Sequence, residues 1–392
     1  MQVHLAKHLT KEKKIQLGSY YTPDKLVKVV HEFIKPYLED KKKDIILFDS
    51  AGGCGAFLFG ISHHDYRIAD CDLEACNFLK QHFDQHNIFH TNSLKDACRD
   101  KYSISSSAFL IMIGNPPYND TTSEFKNGKK GQNICDEDLF DRDLGVSFLK
   151  SYHKLKADVI CVLHPLSYLI KETNFKRLKN FKDNYRLKKG LIFSSSLFSK
   201  TGLIKFPIMI GLYERDEKGM DFNYIKNFNF YILDIEDKFK LYKYETTDGF
   251  IDKYPPRKND IKVSPIGLYY YTFRDFNSLR KNTSFMIKKH YNGIVMTIHN
   301  FYKYAYLNAL KNLFRPNNIW LYGNLSPLIN KKLLEENKNI YIEYAIQTNS
   351  ALKNIDKKII QDIAKYYGID LNRLTDVIKL EVEITKQFKK LI

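Results

Sequence analysis

The sequence predicts an α/β protein: a doubly wound, mostly parallel seven-stranded sheet within residues 1–215, then a C-terminal domain of mixed α+β structure over 216–392. Three observations predict it. Short apolar runs alternate with stretches of helical spacing through the first half. Two of these runs end in turn residues, 44–48 at Asp49 and the glycines after it and 108–113 at GNPPY. The alternation then fades near residue 215 into aromatic sequence rich in Lys and Asn.

Residues 44–48 (DIILF) are an apolar run leading to Asp49, glycines and then AFLFGIS, which reads as strand, tight turn and helix. Residues 66–69 form a second short strand ending at Asp70, and LEACNFLKQHF after it has helical spacing. A third strand at 88–90 leads into TNSLKDA. Residues 108–113 (AFLIMI) are apolar throughout, as a strand covered on both faces requires. Residues 119–137 lack periodicity and read as a loop hanging from its end. Helical spacing returns over 144–155, and 158–163 (DVICVL) is another buried strand, ending at HPLSYL. Residues 190–193 and 206–213 (FPIMIGLY) complete the series. Strands separated by helices imply parallel pairing with right-handed crossovers. A helical tail begins at about Asn354, and no internal repeat is visible.

At 392 residues, 44% hydrophobic and 14% aromatic, the chain is long and apolar enough for two folded domains. No run approaches the roughly eighteen apolar residues of a membrane-spanning helix, and the N-terminal stretch has no apolar core of signal-peptide length. These features set the expectation of a cytoplasmic protein. Six cysteines without a zinc-ligand spacing fit reduced thiols. His63, His64, His82, His86 and His90 are too loosely spaced for a metal site, so no metal is expected. The net charge of +17 is unevenly distributed. Residues 256–320 hold eleven Lys or Arg against two Asp, whereas 216–255 hold six against nine acids. A concentrated basic segment points to a polyanion.

Two motifs lie at strand ends. In DSAGGCGAFLF, Asp49 is followed by a turn carrying Gly53 and Gly55, whose backbone N–H groups can approach a ligand closely. Asp70 and Asp72, at the tip of the next strand, can accept hydrogen bonds from ribose hydroxyls or cap a helix. The second motif is GNPPY, from Gly114 to Tyr118. Its prolines cannot join a sheet ladder and stop the strand, but they leave an amide and an aromatic ring unexplained. Ser194, Ser195 and Ser196 lack the glycine elbow of a serine nucleophile.

GSYYTP (18–23), DSAGGCGAF and GNPPY, in that order and spacing, resemble the S-adenosylmethionine-dependent adenine-N6 DNA methyltransferases, in the class with the cofactor motif upstream and a C-terminal target-recognition domain. The resemblance covers roughly residues 15–215 and implies a Rossmann-like methyltransferase sheet, with 216–392 as the DNA target-recognition domain. Ser50 stands where the family motif usually has Pro. The resemblance implies that Tyr21 and Thr22 help hold the methionine part of S-adenosylmethionine. Asp49, Ala51, Gly53 and Gly55 would lie under its amino acid moiety, and Asp70 would bind its ribose. Asn92 would meet the adenine amino group, a place where the family usually has an acid.

NPPY then acquires a chemical reading. The lone pair of an adenine amino nitrogen is delocalised into the ring. Two acceptors bonded to its hydrogens favour a pyramidal nitrogen, and the Asn115 side-chain oxygen and the Pro116 carbonyl suit that task. Pro117 and Pro116 restrict the residues before them, so the acceptors are preset. Tyr118 offers a flat face to a base extruded from the duplex, and Phe198, in SSSLFSKTG, is the candidate second ring, with Phe206 in reserve. In the C-terminal half, YYYTFRDF (269–276) together with Arg274, Arg280, Lys281, Lys288 and Lys289 interleaves rings and cations, a pattern suited to DNA.

The expected activity is methyl transfer to adenine N6 in a specific duplex sequence, of restriction–modification or epigenetic type in a bacterium or phage, with a cognate restriction endonuclease as partner. The alternatives are a catalytically silent DNA-binding or specificity subunit, and an NPPY enzyme acting on RNA or a protein glutamine. A fused nuclease is not expected, because no P-D-(acid)-x-K signature stands in a plausible N-terminal domain.

Overall fold

A computed structural model describes residues 22–40, 44–61, 65–118, 135–198, 206–246, 250–252, 265–271, 284–313, 321–322 and 326–389. The chain divides into two compact units, Met1–Leu203 with Pro207–Lys240, and Ile204–Phe206 with Leu241–Ile392.

The first unit is built on one sheet. Its strands are β1 (Ile45–Asp49), β2 (Asp65–Asp70), β3 (Ile88–His90), β4 (Phe109–Gly114), β5 (Val159–Pro165), β6 (Tyr185–Ser194), β7 (Pro207–Arg215), β8 (Phe230–Ile232) and β9 (Ile235–Phe239). They lie in the order β3-β2-β1-β4-β5-β7-β6-β8-β9. β1 to β5 are mutually parallel, and β7 runs antiparallel between β5 and β6. The seven expected strands are therefore present, and β8 and β9 extend the sheet past residue 215, so the first unit closes at Lys240. Every residue of β1 and β5 is buried, which is why both read as unbroken apolar runs.

Helix α1 (Asp24–Leu38) buries the stripe Leu26, Val27, Val30 and Ile34, and α2 (Leu73–Leu79) and α3 (Leu144–Lys154) are capped by Asp72 and Asp143. The helix expected over AFLFGIS is corrected: the backbone after β1 runs in turns, with Gly55 N–H bonded to Gly52 O and Leu58 N–H to Gly55 O. Gly53, Gly55 and Gly60 all take positive φ, which interrupts a right-handed helix despite the apolar side chains between them.

His164, buried within β5, illustrates how a polar residue is accommodated in this sheet. Burial lowers its pKa to about 4, so the ring is neutral. Nδ1 faces the Pro165 carbonyl at 2.9 Å and therefore carries the proton, and Nε2 accepts from the Tyr213 hydroxyl at 2.7 Å.

The second unit contains β10 (Glu245–Thr246), β11 (Tyr269–Tyr271), β12 (Phe285–Met286), β13 (Gly293–Val295), β14 (Leu321–Tyr322) and β15 (Ser326–Ile329) in two small antiparallel sheets. With them stand α4 (Phe301–Leu313), α5 (Lys338–Thr348), α6 (Lys357–Tyr367) and α7 (Val377–Lys389). Its core is aromatic: Tyr270, Phe285, Phe301, Tyr304, Tyr306 and Tyr341 are all buried. These six rings are thus packing residues.

Candidate active site

The strand order reverses between β1 and β4, the sheet's topological switch point, where open α/β sheets bind ligands beyond the strands' carboxyl ends. β1 ends there with Asp49, which pairs in register with Ile113 of β4. The next residue, Gly114, has φ +144°, and a Cβ on it would fall 2.7 Å from Asp49 Oδ1. Glycine lets the two strand ends close up and delivers Asn115 beside Asp49.

Asn115 donates from Nδ2 to Thr22 Oγ1 at 3.3 Å. Its Oδ1 is shielded from solvent and, among the described residues, accepts no hydrogen bond. An unmet buried acceptor costs about 1–3 kcal/mol, and a catalytic role is one physical reason for a protein to keep such a group. Thr22 is itself 4% exposed and directly precedes Pro23, the N-cap of α1. The YYTP and NPPY motifs, far apart in sequence, therefore meet through one side-chain hydrogen bond. Tyr21 lies outside the described residues.

Beside Asn115 the glycine turn crosses the end of β2. Gly52 N–H bonds to Ala69 O at 3.0 Å, and Gly53 N–H to Asp70 Oδ2 at 2.8 Å. Asp70 Oδ1 accepts from Asp72 N–H at 2.9 Å, so Asp70 ties the turn to the start of α2. Asp49 is 2% exposed and accepts from Ala51 N–H at 3.2 Å. Burial pushes its carboxyl up to about 7; the Ala51 amide opposes the shift and the charge of Asp70 adds to it. Burial also raises Asp70 against the amides of Asp72 and Gly53. Among the described residues neither carboxylate forms an ion pair.

Asn92 follows β3, and the Thr91 N–H to Asp70 O bond, 2.9 Å, sets it beside the tip of β2. Its Oδ1 accepts from Leu94 N–H at 2.9 Å. Asp49, Asp70, Asn92 and Asn115 thus stand at the carboxyl ends of four consecutive parallel strands.

The departure at Ser50 also has a structural account. Its hydroxyl bonds the Tyr152 hydroxyl on α3 at 3.2 Å, and its carbonyl accepts from Ser93 Oγ at 2.7 Å. These bonds fix the end of β1 to two neighbouring elements.

Tyr118 packs over the start of α3, where a Cβ on Gly145 would come 3.1 Å from Tyr118 Cβ and would also collide with the Tyr168 hydroxyl. Tyr168 donates to Asp143 Oδ1, which accepts Gly145 N–H at 3.0 Å, and its ring stacks on His164 with centroids 5.3 Å apart. Asp143, Gly145 and Tyr168 were not identified from sequence. Asp143 had a signal, as an acid just before a helical run; the other two had none.

Phe198 follows β6, half-buried, with its ring edge-on to Phe193 at 5.8 Å. β6 runs parallel to β5 and β4, so Phe198 shares the sheet edge of Asn115, three strands away. Phe206 directly precedes β7. Of the candidate DNA contacts, Lys288 and Lys289 are exposed, and Arg274, Arg280 and Lys281 lie outside the described residues.

S-adenosylmethionine fits these groups. It carries a sulfonium and an ammonium, and the site offers the buried carboxylate of Asp49 and the half-buried one of Asp70, neither with a cationic partner among the described residues. It carries a ribose and an adenine, and Asp70 and Asn92 stand at the adjoining strand ends.

Residues 4–174 match the family model of the N-6 DNA methylases. No curated protein matches the chain. Similar solved structures include a proposed class I S-adenosylmethionine-dependent methyltransferase of Listeria monocytogenes, 16% identical over 51% of this chain and 62% of that one, TM-score 0.36. A type I restriction-modification methyltransferase subunit from Streptococcus thermophilus is 14% identical over 82% of this chain and 57% of that one, TM-score 0.35. The type IIG restriction endonuclease BpuSI is 18% identical over 52% of this chain and 26% of that one, TM-score 0.35. The chain thus spans less than two thirds of each of these three proteins. Among the described residues no helix is long and apolar enough to cross a membrane.

Proposed function

We propose that this protein, whose residues 4–174 match the family model of the N-6 DNA methylases, uses S-adenosylmethionine to methylate the exocyclic N6 of adenine in a specific duplex DNA sequence. The observation that carries this reading is the buried, unpaired Oδ1 of Asn115 at the switch point. Thr22 holds the Nδ2 side of the amide, which leaves the acceptor side for a donor that the described residues do not supply. An adenine amino group is such a donor.

S-adenosylmethionine supplies an electrophilic methyl group on a sulfonium. Asn115 Oδ1 and the Pro116 carbonyl accept the two N6 hydrogens and concentrate the nitrogen lone pair. The new N–C bond forms as the C–S bond breaks, and N6 then sheds a proton to solvent. No strong base is required, since that proton becomes acidic only as the methyl arrives. Asp49 and Asp70 balance the cofactor's positive charge, and their burial makes that balance strong. Tyr118, with Phe198 as the second ring, stacks on a base taken out of the duplex, at roughly 1–3 kcal/mol per stacked ring. Because Asn115 Oδ1 is shielded, admitting the base involves local opening around it. A restriction–modification setting, with a cognate endonuclease as partner, suits such an enzyme.

The test is transfer of labelled methyl to duplex DNA, RNA and protein by the full chain and by Asn115→Ala. Label on adenine N6 in DNA is expected from wild type. The variant should lose roughly a hundredfold or more in rate while binding S-adenosylmethionine normally. Label on RNA or protein but none on DNA would refute the DNA assignment, and an active Asn115→Ala would refute the mechanism.

A further inference from the structure

The second unit carries a site that methyl transfer does not use. β12 and β13 flank β11 on opposite sides, and residues 287–292 connect them. Within that connection Tyr291 is 82% exposed, whereas Tyr270 on the adjacent strand is 3% exposed. The His290 ring lies 4.3 Å from Tyr291 at 33° between planes, and 5.6 Å from Tyr271 of β11 at 40°. The three rings form a column rooted in the sheet and ending in open solvent. Hydrogen bonds hold it: Asn292 N–H donates to His290 Nδ1 at 3.1 Å, and Asn292 Nδ2 to the Tyr271 hydroxyl at 3.3 Å. With Nδ1 accepting, the neutral His290 ring carries its proton on Nε2.

Lys288 and Lys289 precede the column, both exposed, and neither forms an ion pair among the described residues. With His290, Ser350 and Asn354 they border an open depression of about 450 Å³. Ile287, also exposed at 43%, adds an apolar edge. An isolated exposed tyrosine is ordinary. A ring backed by two more and flanked by unpaired cations is the arrangement that matches a polynucleotide, with flat apolar bases between regularly spaced phosphates.

We propose that Tyr291 is a nucleobase-stacking platform for DNA, with Lys288 and Lys289 as its phosphate contacts. The inference rests on the reading of DNA as substrate and adds a second contact distinct from the adenine that receives the methyl group. Tyr291 inserts at a base step and stacks on the face it exposes. His290 and Tyr271 hold the ring in place, so little side-chain freedom is lost on binding.

The test is fluorescence anisotropy of a labelled mixed-sequence duplex with the full chain at several salt concentrations. Tyr291→Ala should weaken binding by roughly 5- to 150-fold, the span a lost base–aromatic stack implies, without changing the salt slope. Tyr291→Phe should retain affinity. The double variant Lys288→Ala, Lys289→Ala should flatten the log–log salt slope by about 1.8, or roughly 0.9 per phosphate. S-adenosylmethionine binding and melting temperature, measured on each variant, should match wild type. If wild type methylates the duplex and Tyr291→Ala binds it equally well, the platform is refuted and the methyltransferase reading stands. If wild type neither binds nor methylates DNA, the substrate reading fails and takes the platform with it. A Tyr291→Ala loss confined to RNA of the same sequence would overturn the assignment to DNA.

Discussion

Asp49→Asn isolates the buried charge at the end of β1. Asparagine keeps an oxygen to accept from Ala51 N–H, so the variant removes the charge and preserves the turn. In the folded protein burial pushes the Asp49 carboxyl up to about 7, against the ordinary 3.8 of an exposed aspartate. That gap of about three pH units corresponds to about 4 kcal/mol, at 1.36 kcal/mol per unit. The sign follows from which state holds the proton. Below pH 3.8 folded and unfolded chains are both protonated there, and no penalty exists. As pH rises toward 7 the unfolded chain releases its proton while the folded one retains it, so stability is lost, and the loss is complete above 7. Denaturant unfolding of the cofactor-free protein, followed by circular dichroism from about pH 4 to 9, should therefore show the variant gaining on wild type as pH rises, by up to about 4 kcal/mol. Calorimetry should show the reverse for S-adenosylmethionine: wild type binds more tightly as pH climbs through 7, whereas the variant binds weakly without that dependence. Equal stability at every pH together with unchanged cofactor affinity would refute the argument that an uncompensated buried charge awaits a cation.

Two further perturbations address positioning. Thr22→Val keeps the shape of Thr22 but removes the oxygen that holds Asn115 Nδ2. A lost hydrogen bond of about 0.5–1.5 kcal/mol should lower kcat roughly 2- to 13-fold in a steady-state methylation assay, and an unchanged kcat would show that Thr22 does not orient Asn115. Gly145→Ala forces a methyl group against Tyr118 and the Tyr168 hydroxyl, and displacing the stacking ring should slow transfer roughly ten- to a hundredfold. Adding Tyr168→Phe removes one of the colliding atoms and should restore part of that rate; absence of any rescue would refute the steric account.

The sequence by itself determined a mostly parallel sheet, the seven segments that form its first seven strands, and turns at two of their ends. Buried parallel strands are written as unbroken apolar runs, and a strand that stops at Asp or at Asn-Pro-Pro announces its own boundary. AFLFGIS misled for a local reason: its apolar spacing suits a helix, but three glycines with positive φ take the backbone elsewhere. β8 and β9 escaped notice because IEDKF, the sequence of β9, is mostly charged and carries no apolar run, so the pair FYI and IEDKF does not stand out from loop. What only the tertiary structure decided are the contacts between segments far apart in the chain. Thr22 on Asn115, Ser50 on Tyr152, Asp70 on the glycine turn, and Tyr118 over Gly145 leave no local trace, because a hydrogen bond or a close approach constrains one atom of each partner and no periodic pattern around it. The same holds for Tyr291, which stands in no motif. Its exposure depends on the path of residues 287–292 from one side of β11 to the other, and composition does not encode that path.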